Sequence, residues 1–158
     1  MLTFEEKKEI EALLPNYPTR QAAGIDALVI LQRHRGWISD ETLGQAAEFL
    51  RMTPAELDSV ATFYNLIFRK PVGRHVILVC DSVSCWVMGG DTILDYLKSH
   101  LGIGFGETTP DGRFTLLPHV CLGACDKAPV MMIDDDLHVE LDPETSPDRI
   151  DQLLSLYP

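Results

Sequence analysis

The sequence predicts an α+β chain in two parts, a helical bundle over residues 1–70 and an α/β domain over residues 71–158. Three observations lead there. Apolar residues recur at helical spacing through the first part. Lys70-Pro71-Val72-Gly73 then punctuates the chain. After it come short continuous apolar runs of the kind found in strands covered on both faces.

The helical part reads in order. Thr3-Phe4-Glu5-Glu6 fits a capping box, and Ile10, Leu13 and Leu14 give the first helix an apolar face. Pro15 and Pro18 end it. Ala22, Ile25, Leu28 and Val29 mark a second helix, closed near Gly36. Ser39 caps a third, with Leu43, Ala46, Ala47 and Leu50 on one stripe. Thr53-Pro54-Ala55-Glu56 starts a fourth, with Thr at the N-cap, Pro at the first position and Glu at the third. Leu57, Val60, Ala61 and Tyr64 follow at helical spacing.

In the second part His75-Val-Ile-Leu-Val79 reads as a buried strand, and Ile93, Tyr96, Leu97 and Leu101 mark a helix. Phe114–Leu117 and Val130–Ile133 read as two more strands. Asp134–Asp136 turns into Leu137–Leu141, whose alternation predicts a half-exposed strand. Ser146-Pro147 starts a last helix with Ile150, Leu153, Leu154 and Tyr157 inward. The order β-α-β-β-β-α is that of a thioredoxin-like core: a βαβ unit followed by a hairpin.

Composition excludes several functions. Net charge is −11, with the acids spread along the chain, which argues against nucleic acid and anionic membrane surfaces as partners. The first ten residues carry acids and lack an apolar h-region, so neither a signal peptide nor a transit sequence is expected. No apolar run approaches the ~20 residues of a membrane span. The expected compartment is the cytoplasm, where thiols stay reduced.

The chemistry lies in four cysteines, the only ones among 158 residues: Cys80 and Cys85 as C-x4-C, Cys121 and Cys125 as C-x3-C, with 35 residues between the pairs. If the intervening helix is a crossover, the strands ending near Cys80 and Cys121 are parallel, and both pairs reach the same sheet edge on two loops. Gly123 and Ala124 are small enough to let backbone N–H groups approach sulfur. Four thiolates make the ligand set of a 2Fe–2S cluster, and reducing conditions favour metal over disulfides. Structural zinc remains open, although four-Cys zinc sites mostly use a C-x-x-C knuckle that is absent here. A dithiol redox site would need the same spacing. A Rieske site would need two His ligands, and only His119 lies near the pairs.

Other motifs have ordinary readings. Gly102-Ile-Gly-Phe-Gly106 follows a helix and lacks G-x-G-x-x-G spacing, so it reads as a helix end and loop, leaving no nucleotide or flavin signature. Asp111-Gly112 is a turn, and Asp81, Asp126 and Lys127 are loop residues flanking the cysteines. Arg35-Gly-Trp-Ile38 reads equally as interface anchor or bundle cover, and Phe63–Phe68 as core with one face at an interface.

These residues carry a resemblance. Val72–Val76 leading to Cys80–Cys85, then Thr109–Pro118, Cys121–Cys125 and Ala128–Ile133, resemble the E subunits of bacterial respiratory complex I (NADH:quinone oxidoreductase), a family of thioredoxin-like 2Fe–2S ferredoxins. Arg35–Ile38 and Val60–Tyr64 extend the likeness over nearly the whole chain. Related subunits serve NAD-linked hydrogenases and formate dehydrogenases. The resemblance implies one 2Fe–2S cluster held by Cys80, Cys85, Cys121 and Cys125. It implies a flavoprotein partner that binds FMN and NADH, with one electron exchanged between cluster and FMN. It also implies a cytoplasmic position peripheral to the inner membrane, within a membrane-bound complex.

Overall fold

The computed structural model describes residues 1–141 and 147–158. The chain divides into two compact units, Met1–Pro71 and Val72–Pro158. The first is four helices: α1 (Phe4–Leu13), α2 (Gly24–Arg35), α3 (Asp40–Leu50) and α4 (Pro54–Phe63). Their starts follow local chemistry. Thr3 and Thr53 each close a full capping box with Glu6 and Glu56, and the Ser39 hydroxyl accepts from the N–H of Thr42. The stripe Leu43, Ala46, Ala47 and Leu50 is buried, as its spacing predicts. It packs in one core with Ile10, Leu28, Leu31, Ile38, Leu57 and Ala61. Each fully buried Leu or Ile there contributes roughly 1.5–3 kcal/mol.

The second helix differs from its expected face. Residues Gln21–Ala23 form a 3-10 turn, so the α-helical phase starts at Gly24. The buried side is then Ala27, Leu28, Ile30 and Leu31, while Ala22 and Val29 face solvent. Tyr64 follows α4 as its C-cap and is exposed, as are Phe63 and Leu66; of that aromatic run Ile67 is buried and Phe68 half-buried. Arg35 is engaged internally. Its guanidinium donates to both Glu6 carboxylate oxygens at 2.6 and 2.8 Å and to the Thr42 hydroxyl at 2.9 Å.

The second unit is a four-stranded sheet, order β2-β1-β3-β4, with strands β1 (His75–Cys80), β2 (Phe114–His119), β3 (Met131–Ile133) and β4 (Asp136–His138). The first two strands are parallel, in a register that sets His75 against Phe114 and Cys80 against His119. The third runs antiparallel to β1 and forms a hairpin with β4. Between β1 and β2 the chain makes α5 (Val83–Val87) and α6 (Gly90–Leu101); α7 (Pro147–Ser155) follows the hairpin. The expected residue Ser146 lies outside the described residues. Ile93 and Leu97 of α6, and Ile150 and Leu154 of α7, pack on Ile77, Val79, Phe114, Leu116 and Met131 in one core. Tyr157, expected inward on that helix, lies past its end, partly buried against the same core.

Two expectations change here. The strand expected over 137–141 stops at His138. Glu140 takes a left-handed φ of 53°, and the carbonyls of Val139 and Glu140 accept from Arg149 rather than from a neighbouring strand. Cys85, expected in a loop, sits on the one-turn helix α5. The Gly-rich run 102–106 is a helix end: Gly102 caps α6 with a left-handed φ of 67°.

Candidate metal centre

Parallel pairing of β1 with β2 brings their carboxyl ends to one edge of the sheet, where α/β ligand sites form. Cys80 is the last residue of β1. Cys121 follows β2 by two residues, and Cys125 opens a single 3-10 turn, Cys125–Lys127. Cys85 reaches the edge from α5. Cys80 and Cys85 are buried, Cys121 and Cys125 exposed, and all four are free.

The thiols converge. The sulfurs of Cys121 and Cys125 are 3.7 Å apart. Cys85 feels both Cys80 and Cys125, and Cys125 feels both Cys121 and Cys80. Burial, with Cys80 as the next contributor, pushes the Cys85 thiol up to about 11. The Cys121 thiol beside Cys125 raises that one too, while the Ser84 hydroxyl hydrogen-bonded to it pulls the other way. The two upward shifts differ in their leading cause, burial for Cys85 and the neighbouring Cys121 thiol for Cys125, but in both a nearby thiol adds to the cost of ionisation. A bound cationic centre removes that penalty and takes the thiols as thiolates.

The surroundings suit sulfur ligands. Cys80, Cys85 and Val130 form a small apolar cluster, lined by Leu122, Ala124, Ala128 and Val139. Gly123, at a left-handed φ of 81°, donates its N–H to the Cys121 sulfur at 3.4 Å. The backbone N–H of Val130 likewise favours the thiolate form of Cys85. Backbone N–H groups of this kind offset the negative charge of a cluster. His119 pairs with Cys80 across the strands, and its Nδ1 is buried without a hydrogen-bond partner among the described residues. It supplies one imidazole beside four thiols, not the two that would replace cysteines. Asp81, Asp126 and Lys127 are exposed, although Asp126 and Lys127 lie on the 3-10 turn rather than in open loop. The donor set therefore fits a group that takes four sulfurs.

Residues 10–154 match the family model described as thioredoxin-like [2Fe-2S] ferredoxin. The chain belongs to that family. Its cofactor is accordingly one 2Fe–2S cluster. Among characterised relatives of this ferredoxin, the NADH-quinone oxidoreductase E subunit of Pseudomonas aeruginosa is 46% identical over 157 residues, covering 99% of the chain and 92% of the relative. The corresponding protein of Escherichia coli (strain K12) is 47% identical over 151 residues, covering 96% and 91%. The fold also resembles a crystal structure of an NAD+-reducing [NiFe]-hydrogenase in the air-oxidised state. There the TM-score is 0.68 at 24% identity, over 83% of this chain and 23% of the longer hydrogenase chain.

Sequence reasoning missed α5 and the residues it places round the ferredoxin's thiols. Ser82 at its N-cap and the Gly89-Gly90 pair after it were the available signals.

Proposed function

We propose that the chain is the iron–sulfur subunit of the NADH-oxidising module of an NADH-quinone oxidoreductase, the counterpart of the two bacterial relatives above. In this reading Cys80, Cys85, Cys121 and Cys125 hold the cluster and carry no bond-making chemistry of their own. Once bound, the cluster accepts and returns one electron. The convergence of four thiols at the carboxyl edge of β1 and β2 carries the proposal. The protein's own residues then fix the ligands, exclude water from Cys80 and Cys85, and direct N–H groups at sulfur.

The electron partner is proposed to be FMN on an NADH-binding flavoprotein subunit. Support comes from the rim of the thiol corner. Val83, Trp86, Val87 and Met88 on and just after α5, and Val120 beside Cys121, are all exposed. Aromatic and apolar side chains of this kind form interface centres, and a rim there lets a partner's cofactor approach closely. The helical unit, with Phe63, Tyr64 and Leu66 exposed, is proposed as a second docking element. Among the described residues no helix is long and apolar enough to cross a membrane. The proposed location is cytoplasmic, peripheral to the inner membrane within the complex. A second host, an NAD-linked hydrogenase, is favoured only by the structural likeness above.

Metal and sulfide analysis tests the proposal. Two irons and two acid-labile sulfides per chain are expected, with brown colour and an S = 1/2 EPR signal on reduction. The all-cysteine set and the −11 charge predict a midpoint of roughly −250 to −450 mV. One zinc with no sulfide would make the site a structural staple, and a positive midpoint would contradict the ligand set.

A further inference from the structure

Gly90, the first residue of α6, is buried directly beneath the backbone of Cys85. A Cβ at position 90 would lie 2.8 Å from the Cys85 carbonyl oxygen, 3.0 Å from its carbonyl carbon and 3.4 Å from its Cβ. The first two atoms are backbone, so no side-chain rotation relieves the contact. The φ of Gly90 is outside the left-handed region, so conformation alone does not require glycine. Only the close approach of the two backbones does. The neighbouring Gly89 is the opposite case, with a φ of 91° and its nearest atom, the Thr92 hydroxyl, at 3.6 Å.

We propose that Gly90 is a positioning residue for the cluster: its missing side chain sets where α5 presents Cys85. A methyl at position 90 pushes the Cys85 backbone away from α6, and the sulfur moves with it. Supporting groups that orient a metal ligand tune the metal without touching it. Cluster potential and spectrum depend on the ligand's placement and hydrogen bonding. The inference rests on reading Cys85 as a ligand.

Gly73 supplies a matched control. A Cβ there would lie 2.9 Å from the Arg113 carbonyl oxygen, an equal steric insult. It sits before the start of β1, six strand residues or roughly 20 Å from the thiol edge. The full-length wild type, Gly90→Ala and Gly73→Ala are compared by circular dichroism, iron and sulfide content, reduced EPR spectrum and midpoint potential. Gly90→Ala is expected to stay folded and to show altered g values with a shifted midpoint, or a cluster content at least halved. Gly73→Ala is expected to melt at lower temperature with wild-type g values and midpoint. Wild-type g values and midpoint in Gly90→Ala overturn the inference, as do equal shifts in both variants or an unfolded Gly90→Ala chain. A wild-type protein without iron and sulfide overturns the ligand reading and this inference with it. An intact wild-type cluster beside an unaffected Gly90→Ala overturns this inference alone.

Discussion

The two units handle buried polar groups in opposite ways. In the helical unit the Glu6 side chain is 2% exposed, yet every demand it makes is met: both oxygens accept from Arg35, and one also accepts from the Thr3 N–H. Arg69 does similar work, bridging Asp58, Asp40 and the carbonyl of Ile38. In the sheet unit the comparable centre is a set of like groups, two buried and two exposed thiols that repel one another once ionised. The first unit completes itself with protein atoms. The second meets its thiols with a few N–H and hydroxyl donors and leaves the rest of the charge balance to the cluster, and in this contrast a structural ion pair differs from a ligand site.

The strongest way to break this comparison is to remove a ligand. Cys85→Ala is expected to abolish the EPR signal and the labile sulfide while leaving the helical unit folded. Retention of a wild-type signal would remove Cys85 from the ligand set. Chelating the iron from the wild-type protein sharpens the contrast, because metal binding to such a site is also folding free energy. Amide exchange in 75–141 should speed up at least tenfold, about 1.4 kcal/mol, while exchange in 4–63 stays constant. Equal acceleration in both segments would mean that the helical unit depends on the metal too.

Much of this contrast was legible in the sequence because it rests on local rules. Thr3 with Glu6 and Thr53 with Glu56 announce two helix starts through side chains three residues apart. The apolar run of β1 announces a strand buried on both faces, and the cysteine spacing points to two loops meeting at one edge. What stayed hidden depended on tertiary context. The phase of α2 was lost because Gln21–Ala23 turns as a 3-10 segment. The helix α5 is one turn long, too short for any periodicity to register. The end of β4 is set by Arg149, which comes from a different element. The partner of Arg35 lies 29 residues away, so a motif that reads equally as interface anchor or bundle cover does not reveal that its arginine clamps the bundle.

The next effect is intermediate in size and belongs to the helical unit. Hydrogen bonding by Arg35 holds the Glu6 carboxyl at about 2, below its ordinary 4.5. A folded-state value below the unfolded one stabilises the fold at pH above about 4.5, and this contribution is lost as pH falls toward about 2. Glu6→Gln should therefore destabilise the helical unit by roughly 2–3 kcal/mol at pH 7 and flatten its acid unfolding between those values. Urea unfolding monitored in that unit at several pH values checks both. A loss that is the same at pH 3 and pH 7 would show that packing, not charge, makes Glu6 important.

The smallest expected effect tests how much a side chain adds to the backbone compensation at the thiol corner. Among the described residues the Ser84 hydroxyl pulls the Cys125 thiol toward its thiolate form, against the Cys121 thiol beside it. Reduction adds negative charge to a cluster, so a donor to a ligand sulfur stabilises the reduced form more than the oxidised one. Ser84→Ala removes that donor without adding bulk. The cluster should assemble normally, with unchanged iron content, and its midpoint should move to a more negative potential. Ser84→Thr, which keeps the hydroxyl, should restore most of the shift. The site is half exposed, and water can replace the lost donor, so the shift should be smaller than that of Gly90→Ala. A midpoint that rises, or a shift that Thr fails to restore, would mean that Ser84 acts by packing α5, leaving backbone N–H groups such as that of Gly123 as the counterweight to the thiolates among the described residues.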